Sequence, residues 1–154
     1  MSWLVTLVLD ILDELGRWLA LLGLRFLMAY EFWESGIEKL YGDNWFSSIQ
    51  DQFPFPFNLV PTDISWQIAT WSELVGPVLL LLGLGTRFAS ISLIILTLVA
   101  WVSVHGGNGY NVCDNGYKLL LFYVLMLVPL LLLGPGKLSL DHWIRRRYLP
   151  QQGG

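Results

Sequence analysis

Four long apolar stretches, separated by polar loops, dominate the pattern of the chain. They extend over about 18–40, 64–84, 88–104 and 117–133. About 20 consecutive, mainly apolar residues form a helix long enough to cross the roughly 30 Å hydrocarbon core of a bilayer. The pattern therefore predicts an all-α, integral membrane four-helix bundle that forms a single domain over residues 1–154.

The two ends of the chain mix polar and apolar residues with the spacing of an amphipathic helix. Near the N-terminus, polar side chains recur three and four positions apart, at Ser2, Thr6, Asp10, Asp13 and Arg17. In the tail from 138 to 149, large apolar residues alternate with basic ones. Because such a helix suits the bilayer surface, we expect an interfacial helix at each end. The first one lies on the surface or leads directly into the first span.

The loop over 41–63 joins the first two spans and is rich in glycine, proline and aromatic residues. Residues 44–52 have the composition of a short surface helix. In 53–57 phenylalanine alternates with proline, which removes backbone N–H donors and restricts φ. We expect this second segment to be extended, with its rings on the bundle or among the headgroups.

The composition favours a membrane location and narrows the partners. Hydrophobic residues make up 55% of the chain and charged residues 14%, against roughly 25% charged in an ordinary soluble domain. We therefore expect the lipid bilayer to cover much of the surface. The net charge of −3 and the scattered basic residues argue against a nucleic-acid partner. A single cysteine, Cys113, excludes an internal disulfide and a CxxC redox couple.

The distribution of lysine and arginine predicts the orientation. One side would hold Arg17, Arg87, Lys137, Arg145, Arg146 and Arg147, and the other would hold Lys39 and Lys118. Basic residues are enriched in cytoplasmic loops, so we expect both termini in the cytoplasm and the protein in a bacterial inner membrane. The N-terminus has neither a basic start nor an A-x-A-like cleavage site, so we expect it to be retained.

Charged residues inside the spans are the first candidates for a functional site. A charge in the hydrocarbon core costs about 2.5–3.5 kcal/mol on insertion scales, so it usually faces the bundle interior. Arg25, Glu31, Glu34 and Glu73 are the candidates. The depths of Arg25 and Glu73 allow an ion pair, which leaves Glu31 and Glu34 protonated, or neutralised by Lys39 or a metal ion. In the alternative, these charges only fix helix packing, and Glu34 is hydrated at the outer interface.

A second candidate lies in the loop after the third span. His105 is followed eight residues later by Cys113. Imidazole and thiolate are ligands for copper or zinc, so this pair could bind a metal ion, although His-x7-Cys matches no standard ligand spacing. His105 could also activate Cys113 as a nucleophile. The alternative without chemistry is a histidine near the headgroups and a buried thiol.

Short motifs along the chain resemble those of the DoxX family of bacterial membrane proteins. The matching pieces are Arg25, Gly36-x-x-Lys39-Leu40, Glu73-Leu74-Val75-Gly76, Gly83-Leu84-Gly85-Thr86-Arg87, His105 and Gly134-Pro135-Gly136-x-x-Ser139-Leu140-Asp141. They occur in order over nearly the whole chain after Arg17. The resemblance implies a bundle of four short membrane spans. Some DoxX relatives are linked to quinone-coupled sulfur oxidation, which keeps a redox role open as an alternative.

Three longer segments resemble one subgroup, the HvfX-type proteins. They are Tyr30–Gly36, Gln52–Pro56 and Asn108–Lys118. HvfX-type proteins are associated with the maturation or export of copper-binding modified peptides. The resemblance implies a place in such a pathway, with the modified peptide and its maturation proteins as partners, but it supplies no reaction.

These observations lead to three hypotheses. The first is an inner-membrane accessory protein of a copper-peptide pathway, with an outward-facing pocket that binds a metal, a modified peptide or a quinone head group. The pocket would consist of Arg25, Glu31, Glu34, Glu73 and His105, with a copper ion on His105 and Cys113. The second is a redox subunit that passes electrons to quinone, and the third is a structural scaffold. No motif decides whether the protein is an enzyme, and an oligomer is compatible with all three.

Overall fold

The computed structural model describes residues 2–148, apart from the side chains of Ser2, Arg17, Trp18 and Tyr148. This part of the chain is all-helical and contains no strand, which confirms the predicted all-α class. The α-helices are α1 (Ser2–Tyr41), α2 (Thr62–Leu82), α3 (Thr86–Ala100), α4 (Lys118–Leu133) and α5 (Leu140–Tyr148). A π-helix, Trp101–His105, continues α3.

Helix α1 is one continuous helix of 40 residues. The amphipathic N-terminal segment therefore leads directly into the first predicted span, without a break near residue 18. The described side chains of 3–16 are all exposed, whereas the second half of α1 packs on α2 and α4. At 1.5 Å per residue the helix is about 60 Å long, so its first half extends well beyond the bundle.

The four long helices form a ring around one apolar core. Helix α1 contacts α2 and α4, and α3 contacts the same two helices. The buried core consists of Met28, Ala29, Phe32, Leu80, Ala89, Leu93, Leu127 and Leu130. Between α1 and α2 the backbones approach closely at Gly36, because a Cβ there would lie 2.9 Å from the carbonyl carbon and oxygen of Glu73. Only glycine allows this approach, which brings Glu73 level with the second half of α1.

The turn between α2 and α3 anchors the C-terminal helix. Helix α2 ends at Gly83, which has a left-handed φ of 65°, and Gly85 with a φ of 57° precedes α3. The backbone N–H of Asp141 donates to the Gly83 carbonyl at 3.1 Å, and the Asp141 carboxylate accepts from the Gly85 N–H at 3.1 Å. Helix α5 is thus tied to the end of the ring where α2 and α3 meet.

The loop between α1 and α2 is made of single turns. Residues 44–52, predicted as a short surface helix, form two 3₁₀ turns at Phe46–Ser48 and Gln50–Gln52. In the predicted extended segment, Phe53 has extended backbone angles and a buried side chain. The segment then enters a third 3₁₀ turn at Phe57–Leu59.

Among the described residues, one helical stretch is long and apolar enough to cross a bilayer. It is Thr86–Asn108, with 23 residues, and α4 is a shorter apolar helix. The prediction of four spanning helices is therefore not confirmed by helix length and composition, and it stays a prediction.

Candidate binding cavity

A cavity of about 590 Å³ lies at the end of the ring opposite the turn between α2 and α3. Its walls come from the C-terminal half of α1, the N-terminal half of α2, the end of α3 with its π-helix, and the start of α4. The loop between α1 and α2 covers one side with aromatic rings. This volume lies within the range of about 300–1,000 Å³ that is usual for small-molecule sites.

Aromatic side chains form much of the wall. We call the set of lining rings the aromatic wall: Phe32, Trp45, Phe46, Phe53, Phe57 and Tyr123. Phe46 contacts Trp45 and Phe53 edge to face, with centroid separations of 5.0 and 5.2 Å. On the other side of the wall, the centroids of Phe32 and Tyr123 lie 5.6 Å apart. The loop between α1 and α2 therefore supplies much of the cavity wall.

The buried carboxylate of Glu73 is neutralised by Lys39. The Lys39 Nζ lies 2.7 Å from one Glu73 oxygen and 3.0 Å from the other. It also donates to the Ser35 Oγ at 2.9 Å. An ammonium group has three protons to donate, so these three bonds use its full capacity. The close helix approach at Gly36 explains the pairing, because Lys39 follows Gly36 by less than one turn.

Glu31 lines the cavity with a different partner. The Tyr123 hydroxyl, on α4, donates a short hydrogen bond to one oxygen of Glu31. Among the lysine and arginine side chains that the structure describes, none pairs with Glu31. Glu31 is therefore a half-buried carboxylate whose second oxygen remains available to accept a bond.

The π-helix brings two more polar side chains to the cavity. His105 Nδ1 lies 2.7 Å from the backbone carbonyl oxygen of Asn115. A carbonyl can only accept, so Nδ1 carries the proton and, in the neutral ring, Nε2 is an acceptor. The Ser103 residue also lines the cavity. Its hydroxyl oxygen is buried without a hydrogen-bond partner among the described residues, which is an uncommon state for a hydroxyl group. π-Helical turns inside α-helices are frequent at functional sites.

Arg25 lies elsewhere and has a different role. Its buried guanidinium donates to the carbonyl oxygens of Leu80, Leu81, Pro135 and Leu138 at 2.5–3.1 Å. These carbonyls belong to the end of α2 and to the segment after α4. The ion pair of Arg25 with Glu73 that the sequence allowed is wrong: Glu73 pairs with Lys39, and Arg25 bonds to backbone carbonyls at the opposite end of the ring.

The predicted site residues divide into two groups. Glu31, Glu73 and His105 line the cavity, whereas Glu34 is exposed and Arg25 lies away from it. Sequence reasoning assigned no role to Ser35, Ser103, Tyr123 or the loop aromatics. For Ser35, the spacing of four residues to Lys39 was a usable signal, because residues four apart share a helix face.

The predicted metal pair lacks a supporting ligand set. Cys113 is exposed, and His105 uses Nδ1 to bond the Asn115 carbonyl. Across residues 2–148, no group of three or more His, Cys, Asp or Glu side chains is placed to hold a metal ion. Copper prefers several nitrogen or sulfur ligands in one site, and the described residues bring no group of three or more such side chains together around His105 and Cys113.

Comparison with known proteins decides the family. The DoxX family model matches residues 20–106, which is more than half of the chain. The chain belongs to the DoxX family. A Haemophilus influenzae protein described as uncharacterized is 58% identical over 137 residues, covering 89% of this chain and 91% of the relative. No solved structure matches the sequence.

The DoxX match bears on the location of the protein and on the residues of the cavity. DoxX family members are membrane proteins, in agreement with the apolar stretch Thr86–Asn108. The matched region contains Glu31, Lys39, Glu73 and His105, whereas Tyr123 lies beyond it. The resemblance to DoxX is therefore confirmed, and the closer resemblance to HvfX-type proteins stays a prediction.

Proposed function

We propose that this DoxX protein is an inner-membrane accessory protein that binds an amphipathic organic ligand in the cavity between its four helices. The observation that carries the proposal is the cavity itself: an apolar, aromatic chamber of about 590 Å³ with Glu31, His105 and Ser103 at its wall. Ligand sites combine apolar walls with a few polar groups in this way.

A four-span topology with both termini in the cytoplasm is part of the proposal. Large apolar side chains are exposed on the outer faces of all four ring helices, among them Phe26, Trp71, Phe88 and Leu125. Exposed apolar surface of this extent needs lipid to cover it. Arg87 and Lys137 lie near the end of the ring opposite the cavity, which under the positive-inside rule faces the cytoplasm. The cavity then opens toward the outer side.

In its cellular role, we propose that the protein acts in the maturation or export of a copper-binding modified peptide. The support is the resemblance of Tyr30–Gly36, Gln52–Pro56 and Asn108–Lys118 to HvfX-type proteins. The first two segments contribute Glu31, Phe32 and Phe53 to the cavity wall, and the third contributes Asn115. In this proposal the copper belongs to the peptide, since the described residues bring no group of three or more His, Cys, Asp or Glu side chains together to hold a metal ion.

The test fills the cavity without touching the charged residues. Ser72 lines the cavity and Val75, less than one turn further along α2, is exposed outside it. We expect Ser72→Trp to lower the yield of mature peptide in cells at least several-fold, whereas Val75→Trp leaves it unchanged. The comparison requires that the two variant proteins be present in the membrane at equal levels. Normal peptide maturation with Ser72→Trp would contradict the proposal and support a structural scaffold.

A quinone-linked redox subunit is the second candidate. An apolar chamber with acceptors such as His105 Nε2 on its wall also fits a quinone ring in its reduced, hydroxyl-bearing form. This candidate predicts that quinone copurifies with the protein and is lost from Ser72→Trp but not from Val75→Trp. Lipid extracts of the two purified variants, separated by chromatography, decide the point.

A further inference from the structure

The charges on the cavity wall do not balance. Three wall residues, Glu31, Lys39 and Glu73, carry a full charge. Lys39 and Glu73 neutralise each other, and the three protons of Lys39 are all donated within the pair and to Ser35. The pair is neutral as a unit, and its ammonium group has no proton left to donate to a ligand. Glu31 therefore gives the wall a net negative charge.

The surroundings of Glu31 strengthen the preference for a cation. Tyr123 bonds to one of its oxygens, and that tyrosine ring belongs to the aromatic wall with Phe32. Aromatic faces attract cations by their quadrupole, and rings grouped in a cage are a known way to bind ammonium groups. A carboxylate next to aromatic rings favours positive charge more strongly than either feature alone.

The neutral polar groups of the wall point to a ligand that donates hydrogen bonds. His105 has its Nδ1 proton committed to Asn115, so its Nε2 accepts. The Nε2 of His105 and the second oxygen of Glu31 therefore give the wall two acceptors that suit a ligand with N–H or O–H donors.

We propose that the cavity takes an organic cation, an ammonium group carried on an apolar body. The proposal rests on the cavity function proposed above and names the class of its ligand. The ammonium bonds to Glu31 beside Tyr123, and the apolar body packs on the aromatic wall. A small lipophilic amine and the amino terminus of a peptide with an apolar first residue present this same chemistry.

The test compares two probes that differ only in charge. Phenethylammonium and 2-phenylethanol share one body, and calorimetric titration of the full chain in nanodiscs gives a Kd for each, with empty nanodiscs subtracted. We expect the ammonium to bind at least tenfold more tightly, because bonds to a charged group are the stronger class. Equal affinity for the two probes would overturn the proposal.

Variants on the same helix locate the effect. Glu31→Gln keeps the size of the side chain and should remove the preference for the cation, whereas Glu34→Gln, at an exposed carboxylate three residues on, should keep it. Glu31→Ala also removes the carboxylate and should remove the preference as well, so it gives a second measurement if Glu31→Gln fails to fold. A preference that survives in folded Glu31→Gln or Glu31→Ala, or is lost in folded Glu34→Gln, would refute the assignment to Glu31.

A peptide arm separates the two sources of the ammonium group. Phe-Ala-Ala amide with a free amino terminus should bind if the ligand is a peptide, and only phenethylammonium should bind if it is a small amine. The N-acetylated peptide should bind in neither case, and its binding as tightly as the free peptide would overturn the proposal. Cation binding without any effect of Ser72→Trp on peptide maturation would instead contradict the proposed function alone.

Discussion

Lys39 shows how one side chain can decide the electrostatics of a membrane-embedded wall. Its ammonium meets both oxygens of Glu73 and the Ser35 hydroxyl, and the Glu73 side chain is only 3% exposed. A buried ion pair contributes little net stability compared with apolar residues, but removal of one partner leaves an uncompensated charge. The pair is therefore sensitive to single substitutions and tolerant of a double one.

We expect Lys39→Met to destabilise the protein by about 3–5 kcal/mol, because it leaves the Glu73 carboxylate buried and unpaired. The double variant Lys39→Met/Glu73→Leu should regain most of that loss. Unfolding of the detergent-purified protein by heat or SDS measures both changes. If the double variant were as unstable as the sum of its single variants, the two residues would not act as a pair.

Sequence reasoning at the residue scale identified the wall carboxylates but not their partners. Glu31 and Glu73 were predicted because charges are costly inside a span, and this argument needs no structure. The partner of Glu73 depends on which residue of α1 lies level with it, which is set by the close approach at Gly36. Arg25 lies 11 residues before Gly36 in the sequence, about 16 Å along the helix, and is too far away.

At the scale of elements, the contact between α1 and α2 positions the cavity. Gly36 lets the two backbones meet at Glu73, and the same contact holds Lys39 and Glu31 on one side of the chamber. Helix α1 contains other glycines without this role. Gly23 has open space around the position of a Cβ, with no atom within 4 Å.

The two glycines make a matched pair for a test of this contact. Gly36→Ala should destabilise the protein by roughly 1–3 kcal/mol, the usual cost of overpacking, because the new Cβ meets the Glu73 backbone. Gly23→Ala should stabilise α1 by roughly 0.5–1 kcal/mol through its better helix propensity. Thermal unfolding of the two variants provides the comparison. A neutral Gly36→Ala would mean that α1 and α2 are not pressed together there.

The pattern of apolar residues predicted the four ring helices and the amphipathic ends, but it did not predict local irregularities. The π-helix at Trp101–His105 has no distinct periodicity, because five residues are too few to show one. For the loop aromatics, the alternation of proline and phenylalanine predicted rings on the bundle or among the headgroups. Which of the two applies to Phe53, whose side chain is buried, depends on the helices that it meets.

At the scale of the whole molecule, the orientation of the four-helix ring in the membrane determines from which side a ligand reaches the cavity. The cavity lies near the start of α4 and the end of α1, and the basic residues Arg87 and Lys137 lie toward the other end. The exposed Cys113 is in the loop at the cavity end. Its thiol is a natural labelling site that can report this orientation.

We expect a membrane-impermeant maleimide to label Cys113 from the outer side of the inner membrane in intact spheroplasts. In a Cys113→Ser background, Arg146→Cys on the exposed face of α5 should react only after permeabilisation, because basic segments stay in the cytoplasm. Gel-shift or mass analysis of the labelled protein reads out both sites. The reverse pattern would invert the proposed topology.

The bonds of Arg25 have a consequence for the order in which the protein is made. The guanidinium lies on the first helix, yet two of its four carbonyl partners, Pro135 and Leu138, are near the end of the chain. Synthesis proceeds from the N-terminus, so Arg25 is made before these two partners exist. The guanidinium can complete its four bonds only after the last segment has been made. Completion of the chain is then the event that seals the ring.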